Sequence, residues 1–130
     1  MPPAVHRPLS PHLQIYRPML TMMMSIAHRL TGAALYFGSF LLVWWLTAAA
    51  TGPDYFRFVQ GIFSSWPGLV VLFLFSWALV HHFIGGMRHL IWDTGHGFDL
   101  PTVERMAQLN IAGSIVITIA IWVAAYLMRI

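Results

Sequence analysis

No charged residue lies between Leu30 and Pro53, and none lies between Ala107 and Met128. Each run is longer than the ~20 apolar residues that an α-helix needs to cross the hydrocarbon core of a bilayer. A third apolar stretch, Trp66 to Trp92, carries ionisable groups only from His81 onward. In lipid every backbone amide must find its partner within its own segment, so runs of this kind read as helices and not as loops or open strands. The expected architecture is an all-α membrane protein: three transmembrane helices, at about 20–50, 66–92 and 105–128, behind an extended N-terminal tail over 1–19. Residues 1–130 read as a single transmembrane anchor domain. Composition agrees, since 58% of residues are hydrophobic and only 8% are charged, against about 25% charged in a soluble domain.

In the tail, Pro2, Pro3, Pro8, Pro11 and Pro18 rule out a continuous helix, and the absence of an apolar core there argues against a signal peptide. Residues 51–65 read as a loop, with Gly52-Pro53-Asp54 as turn chemistry and Tyr55, Phe56, Phe58 and Trp66 as interfacial aromatics. Asp93 to Arg105 reads as a short connection containing Gly95, Gly97 and Pro101, with Pro101-Thr102-Val103-Glu104 resembling a helix start.

The net charge of +3 comes from arginines without a single lysine, a balance too small to suggest a nucleic-acid partner. Arg7, Arg17, Arg29, Arg88 and Arg105 fall on one side of the spans, and Arg57 and Arg129 on the other. Positive residues stay inside, so the N-terminus and the second connection are expected to face the cytoplasm. The absence of cysteine excludes disulfides and thiolate ligation of metals or iron–sulfur clusters by this chain.

Ionisable groups at membrane depth are costly unless they have work to do or a partner. Most of them gather in His82-Phe83-Ile84-Gly85-Gly86-Met87-Arg88-His89-Leu90-Ile91-Trp92-Asp93. On a helix, His82 and His89 fall about 20° apart around the axis and roughly 10 Å apart along it. Gly85 and Gly86 lie on nearly the same face. An imidazole, then a patch without side chains, then a second imidazole suits a flat, bulky cofactor such as haem, with His82 as axial ligand to its iron. His81 is a rival ligand pointing about 100° away, and the two-glycine face favours His82. No other span offers a histidine at the same depth, because His28 lies close to the cytoplasmic boundary and the third span has none. The second axial ligand is therefore expected from a partner chain. Three helices are also too thin to bury a haem alone.

In the first helix Ser25 and Arg29, four residues apart, share a face. A hydroxyl beside a permanently charged fork could hold the carbonyl of a quinone. The same two residues equally fit an arginine reaching to lipid phosphates and a serine bonding back to its own helix. Asp93 reads either as a proton relay or as a helix-end residue pairing with Arg88 or Arg105.

Two motifs resemble one family. The first is Arg7-Pro8-Leu9-Ser10-Pro11-His12-Leu13 followed by Ser25 and His28-Arg29-Leu30-Thr31-Gly32; the second is His82, three residues, Gly86-Met87-Arg88-His89, then Trp92-Asp93-Thr94-Gly95. Together they resemble the cytochrome b membrane-anchor subunit of succinate dehydrogenase, the succinate:quinone oxidoreductase of respiratory complex II, and the layout extends the likeness over essentially the whole chain. That resemblance implies a b-type haem held by His82 and by a histidine of a second small membrane-anchor subunit, the two packing into one helical bundle. It implies a ubiquinone pocket lined by Ser25 and Arg29. His28, Arg29 and His89 would lie near the haem propionates, Gly85 and Gly86 against the haem face, and Asp93 in a polar network at the cytoplasmic entrance. An iron–sulfur subunit and a flavoprotein subunit would deliver electrons from succinate. A bacterial inner membrane is the expected location. The alternatives are a cytochrome b anchor of a fumarate reductase or another quinol-linked enzyme, or a structural anchor without a redox role.

Overall fold

The structure, a computed structural model, describes residues 10, 11 and 15–128. Four helices follow in order: α1 (Leu20–Thr51), α2 (Pro53–Phe63), α3 (Trp66–Asp93) and α4 (Leu100–Leu127). The three long ones, α1, α3 and α4, are long and apolar enough to cross a membrane, as the charge-free runs require. Little of each is buried within the chain, and large apolar side chains such as Phe37, Phe40, Leu74, Phe83, Leu109 and Val116 are exposed along their length. Lipid or other subunits must cover such surface.

Two element boundaries differ from the sequence reading. Residues 53–63, expected as loop, form α2. Pro53 takes the first helical position and Asp54 the first turn, where a missing N–H and a negative charge both suit a helix start. The turn-like Gly52-Pro53-Asp54 is thus the punctuation between two helices. Val59 and Phe63, four residues apart, turn inward onto Ala48, with Trp44, Trp45 and Leu72 around them. Trp44 Nε1 donates to Tyr55 Oη at 2.9 Å and Trp45 Nε1 to Gln60 Oε1 at 2.8 Å, so α2 is fastened against the end of α1. On its outer side Arg57 pairs with Asp54.

α4 begins at Leu100, not near residue 105, because Asp99 caps it. Its side chain accepts from Thr102 N at 3.0 Å, and Thr102, through its side chain first and its backbone second, holds the Asp99 carboxyl below its ordinary range. The α3–α4 connection turns at Gly95 (φ 80) and Gly97 (φ 76), a left-handed region that side-chain-bearing residues seldom occupy. Trp92 Nε1 fastens it by donating to Gly97 O at 3.0 Å. α3 packs between α1 and α4. The tail residues His6, Arg7 and His12, and Arg129 at the other terminus, lie outside the described residues.

Candidate functional site

His28, His82 and His89 meet at the end of the bundle opposite α2. The His28 and His82 rings stack with centroids 3.9 Å apart and planes 4° from parallel, and His89 lies 5.1 Å from His28. His82 and His89 therefore share a stripe of α3, as their spacing predicted, and that stripe faces α1. The contact depends on a small residue across the seam: a Cβ on Gly32 would fall 2.9 Å from His82 Cε1.

His82 Nδ1 lies 3.0 Å from His28 O and 3.3 Å from Thr31 Oγ1. Thr31 Oγ1 itself donates back to the Ala27 or His28 carbonyl. A carbonyl only accepts, so Nδ1 carries the hydrogen. His82 Nε2 then holds a lone pair, has no partner among the described residues, and is not buried. A backbone carbonyl holding one imidazole nitrogen orients the other for a metal.

His28 is level with His82, their rings 3.9 Å apart, although the sequence placed it nearer the boundary. The stacking also limits what His28 can do. Two rings lying face to face cannot offer nitrogens from opposite sides of one metal.

His81 points elsewhere. It is 2% exposed, sits between α3 and α4, and places Nδ1 3.3 Å from Ser114 Oγ. The two glycines are also divided. Nothing lies within 4 Å of a Cβ built on Gly86, whereas one on Gly85 would fall 2.5 Å from His28 Nδ1 and 3.4 Å from Asn110 Nδ2. Gly86 is open to the outside of the chain; Gly85 is covered from within.

Ser25 and Arg29 are both exposed on α1. Ser39, Thr47, Thr51, Ser76, Ser114 and Thr118 each donate back to a carbonyl of their own helix. Ser25 makes no such bond among the described residues. Asp93 ends α3, exposed, and the only ion pair among the described residues is Arg57–Asp54, so Asp93 pairs with neither Arg88 nor Arg105. Arg88 is 5% exposed, with its guanidinium carbon 4.9 Å from the Trp92 ring centre.

One group of polar residues escaped the sequence reading. Asn110, Ser114 and Thr118 are buried along α4. Their spacing of four in an otherwise apolar span was the available signal, since a polar stripe in a membrane helix faces protein and not lipid.

A multi-pass membrane helix bundle with its buried and half-buried ionisable groups collected at one end is the class these features define. The sequence matches the family described as Succinate dehydrogenase/Fumarate reductase transmembrane subunit over residues 3–121, and the chain belongs to that family. It is 43% identical over 114 residues to the succinate dehydrogenase cytochrome b556 subunit of Paracoccus denitrificans, covering 88% of each chain. It is 38% identical over 117 residues to the subunit of the same name from Rickettsia typhi, covering 90% of this chain and 91% of that one. With the mitochondrial succinate dehydrogenase cytochrome B subunit of Schizosaccharomyces pombe it shares 34% identity over 116 residues, 85% of this chain and 64% of the yeast protein. These relatives agree in being cytochrome b subunits of succinate dehydrogenase, which makes this chain a membrane anchor of complex II.

Proposed function

We propose that the chain anchors a succinate:ubiquinone oxidoreductase in the bacterial inner membrane, N-terminus toward the cytoplasm, and supplies one axial ligand to a haem b and part of the quinone-reduction site. His82 is the ligand. The observation that carries this is its Nδ1 bond to the His28 carbonyl, 3.0 Å, which leaves Nε2 free for iron. The cytochrome b556 names of the relatives support haem as the group bound there, and a bound haem supplies a one-electron carrier close to the quinone. His81 is sealed between α3 and α4 and cannot reach an iron shared with another subunit. His28, stacked on His82, cannot be the opposite ligand, so the second imidazole comes from a second small membrane-anchor subunit.

The chain's other residues then have separate tasks. Gly86 leaves the clearance a flat ring needs beside His82, and Gly85 admits His28 to the α1–α3 seam. His28, Arg29 and His89 present donors to the haem propionates. Ser25, whose hydroxyl is not engaged by its own helix, and Arg29 hold and polarise a ubiquinone carbonyl, steadying the negative charge that grows on oxygen during reduction. Asp93, unpaired and at the cytoplasmic rim, is placed to pass protons inward. The iron–sulfur and flavoprotein subunits complete the pocket and deliver electrons from succinate.

A reduced-minus-oxidised spectrum of the purified complex tests the ligand. A single b-type band is expected, and His82→Ala should cut it to below about a tenth. His81→Asn, which keeps a side chain able to bond Ser114, should retain most of it. Equal losses in the two variants would overturn the choice of His82.

A further inference from the structure

The seam between α3 and α4 is polar at depths where a membrane bundle is ordinarily dry. Ala78, His81, Gly85 and Arg88 form the buried stripe of α3, and Ala107, Asn110, Ser114 and Thr118 that of α4. At the level of His81 one nitrogen is paired: Nδ1 donates toward Ser114 Oγ at 3.3 Å, and Ser114 passes its own hydrogen to Ile111 O at 2.9 Å, while Nε2 has no partner among the described residues. One turn away no side-chain pair forms at all. Asn110 is 1% exposed, yet neither Oδ1 nor Nδ2 has a partner among the described residues, and His28 Nδ1 is buried without one too. Both residues turn a nitrogen toward the same spot, the bare α-carbon of Gly85. Buried amides are rarely left so, because each orphaned group forfeits its hydrogen bonds to water and gains nothing in exchange.

We propose that α1, α3 and α4 bind a buried water over Gly85, which accepts from Asn110 Nδ2 and donates to His28 Nδ1, and that Asn110 thereby acts as a positioning residue for His28. Water suits the site better than an anion. The lining offers a donor and an acceptor together, the amide N–H and an imidazole lone pair, and a molecule this small that both gives and takes hydrogen bonds is water. An anion would be repelled by the lone pair of His28 Nδ1. Gly85 lets both nitrogens approach, because a Cβ there would fall 2.5 Å from His28 Nδ1 and 3.4 Å from Asn110 Nδ2 and push them apart.

The consequence reaches the face of the chain. With Nδ1 accepting, the hydrogen of His28 is fixed on Nε2, the nitrogen that is not buried, so His28 shows an outward donor of settled direction. The ring is held flat against His82, 3.9 Å away. A residue of α4 with no direct hydrogen bond to either histidine thus sets both through one water. This last step rests on the haem reading of His82; the water itself does not.

A cryo-EM map of the intact membrane complex, at a resolution that shows ordered water, decides the first part. A peak within hydrogen-bonding distance of both Asn110 Nδ2 and His28 Nδ1 is expected. A direct bond between the two side chains, or a dry seam, overturns the site. Asn110→Leu, close in volume but without polar atoms, should lose the peak, and Asn110→Ser should keep one. The positioning role is read from the haem midpoint potential in membranes. It should fall in Asn110→Leu, because a fixed N–H near the ring favours the reduced, more negative form, and return toward the wild-type value in Asn110→Ser, with haem content unchanged. A potential that does not move in Asn110→Leu overturns that role. Should the wild-type complex show no b-type band, the haem reading fails by itself, and the native map still decides whether the water is there.

Discussion

At the α2 end of the bundle, Ala48, Val59 and Phe63 are buried against one another, and the polar groups nearby are satisfied in pairs, Trp44 with Tyr55 and Trp45 with Gln60. At the opposite end His81, Arg88 and Asn110 are buried beside Met24, Thr31 and Ala107, with His28 partly covered, and every buried side-chain nitrogen or oxygen left without a partner among the described residues belongs to His28, His81, Arg88 or Asn110. The same three long helices run through both ends. The difference is that one end pairs the polar groups it covers, whereas the other has donors and acceptors that nothing among the described residues satisfies. Membrane bundles gain little from hiding apolar groups from lipid, so packing and hydrogen bonding decide where helices meet. Buried imidazole, guanidinium and amide left unpaired add little stability, which fits the proposal that this end holds the cofactor.

That contrast can be broken by experiment. The largest effect is expected at the polar end. Arg29→Ala should lower quinone reduction by the assembled complex by about a hundredfold, the usual cost of one donor aimed at developing charge, while succinate oxidation with an artificial dye survives. Joint loss of both activities would mean that Arg29 holds the complex together and not the quinone. Next comes the apolar end. Phe63→Ala should destabilise this subunit within the purified complex by about 2 kcal/mol, less than in a soluble core because lipid replaces only the packing part of the loss. Thermal melting in detergent reads this, and the haem band of the folded fraction should be unchanged. A band that disappears with Phe63→Ala would show that the two ends are coupled and that the comparison is false.

The smallest effect concerns the Asp99 cap, at the polar end but outside the spans. Because Thr102 holds the Asp99 carboxyl below its ordinary range, the cap's contribution is fully present above about pH 3.9, the unfolded value. It is lost as pH falls through the lower, folded one. Protection of the Thr102 amide, its exchange rate relative to an unfolded peptide at the same pH, should therefore hold at neutral pH and drop only in that acid range. Protection already lost at neutral pH would show that the Asp99 cap does not hold this turn.

How far this was legible in the sequence varied by residue. The three spans were, since a run without charge longer than a bilayer is thick has few other solutions. The His82–His89 stripe was legible as well, because helical periodicity alone fixes which residues share a face. α2 was not: Pro53 and Asp54 signal a turn and a helix start equally, and only Val59 and Phe63 meeting Ala48 resolves them. The division of Gly85 from Gly86 was likewise hidden, as the two sit on nearly one face and differ only in what neighbouring helices bring against them.

By itself, the order of residues determined that this polypeptide lives in lipid, that it crosses three times, and that its ionisable side chains gather near one membrane face, because hydropathy and helical period are local properties. Tertiary structure alone decided that His28 stacks on His82, that His81 is sealed against Ser114, and that Asn110 closes on Gly85 from a helix with no histidine of its own. Those facts depend on how helices far apart in sequence tilt and pair, and no local rule carries that information.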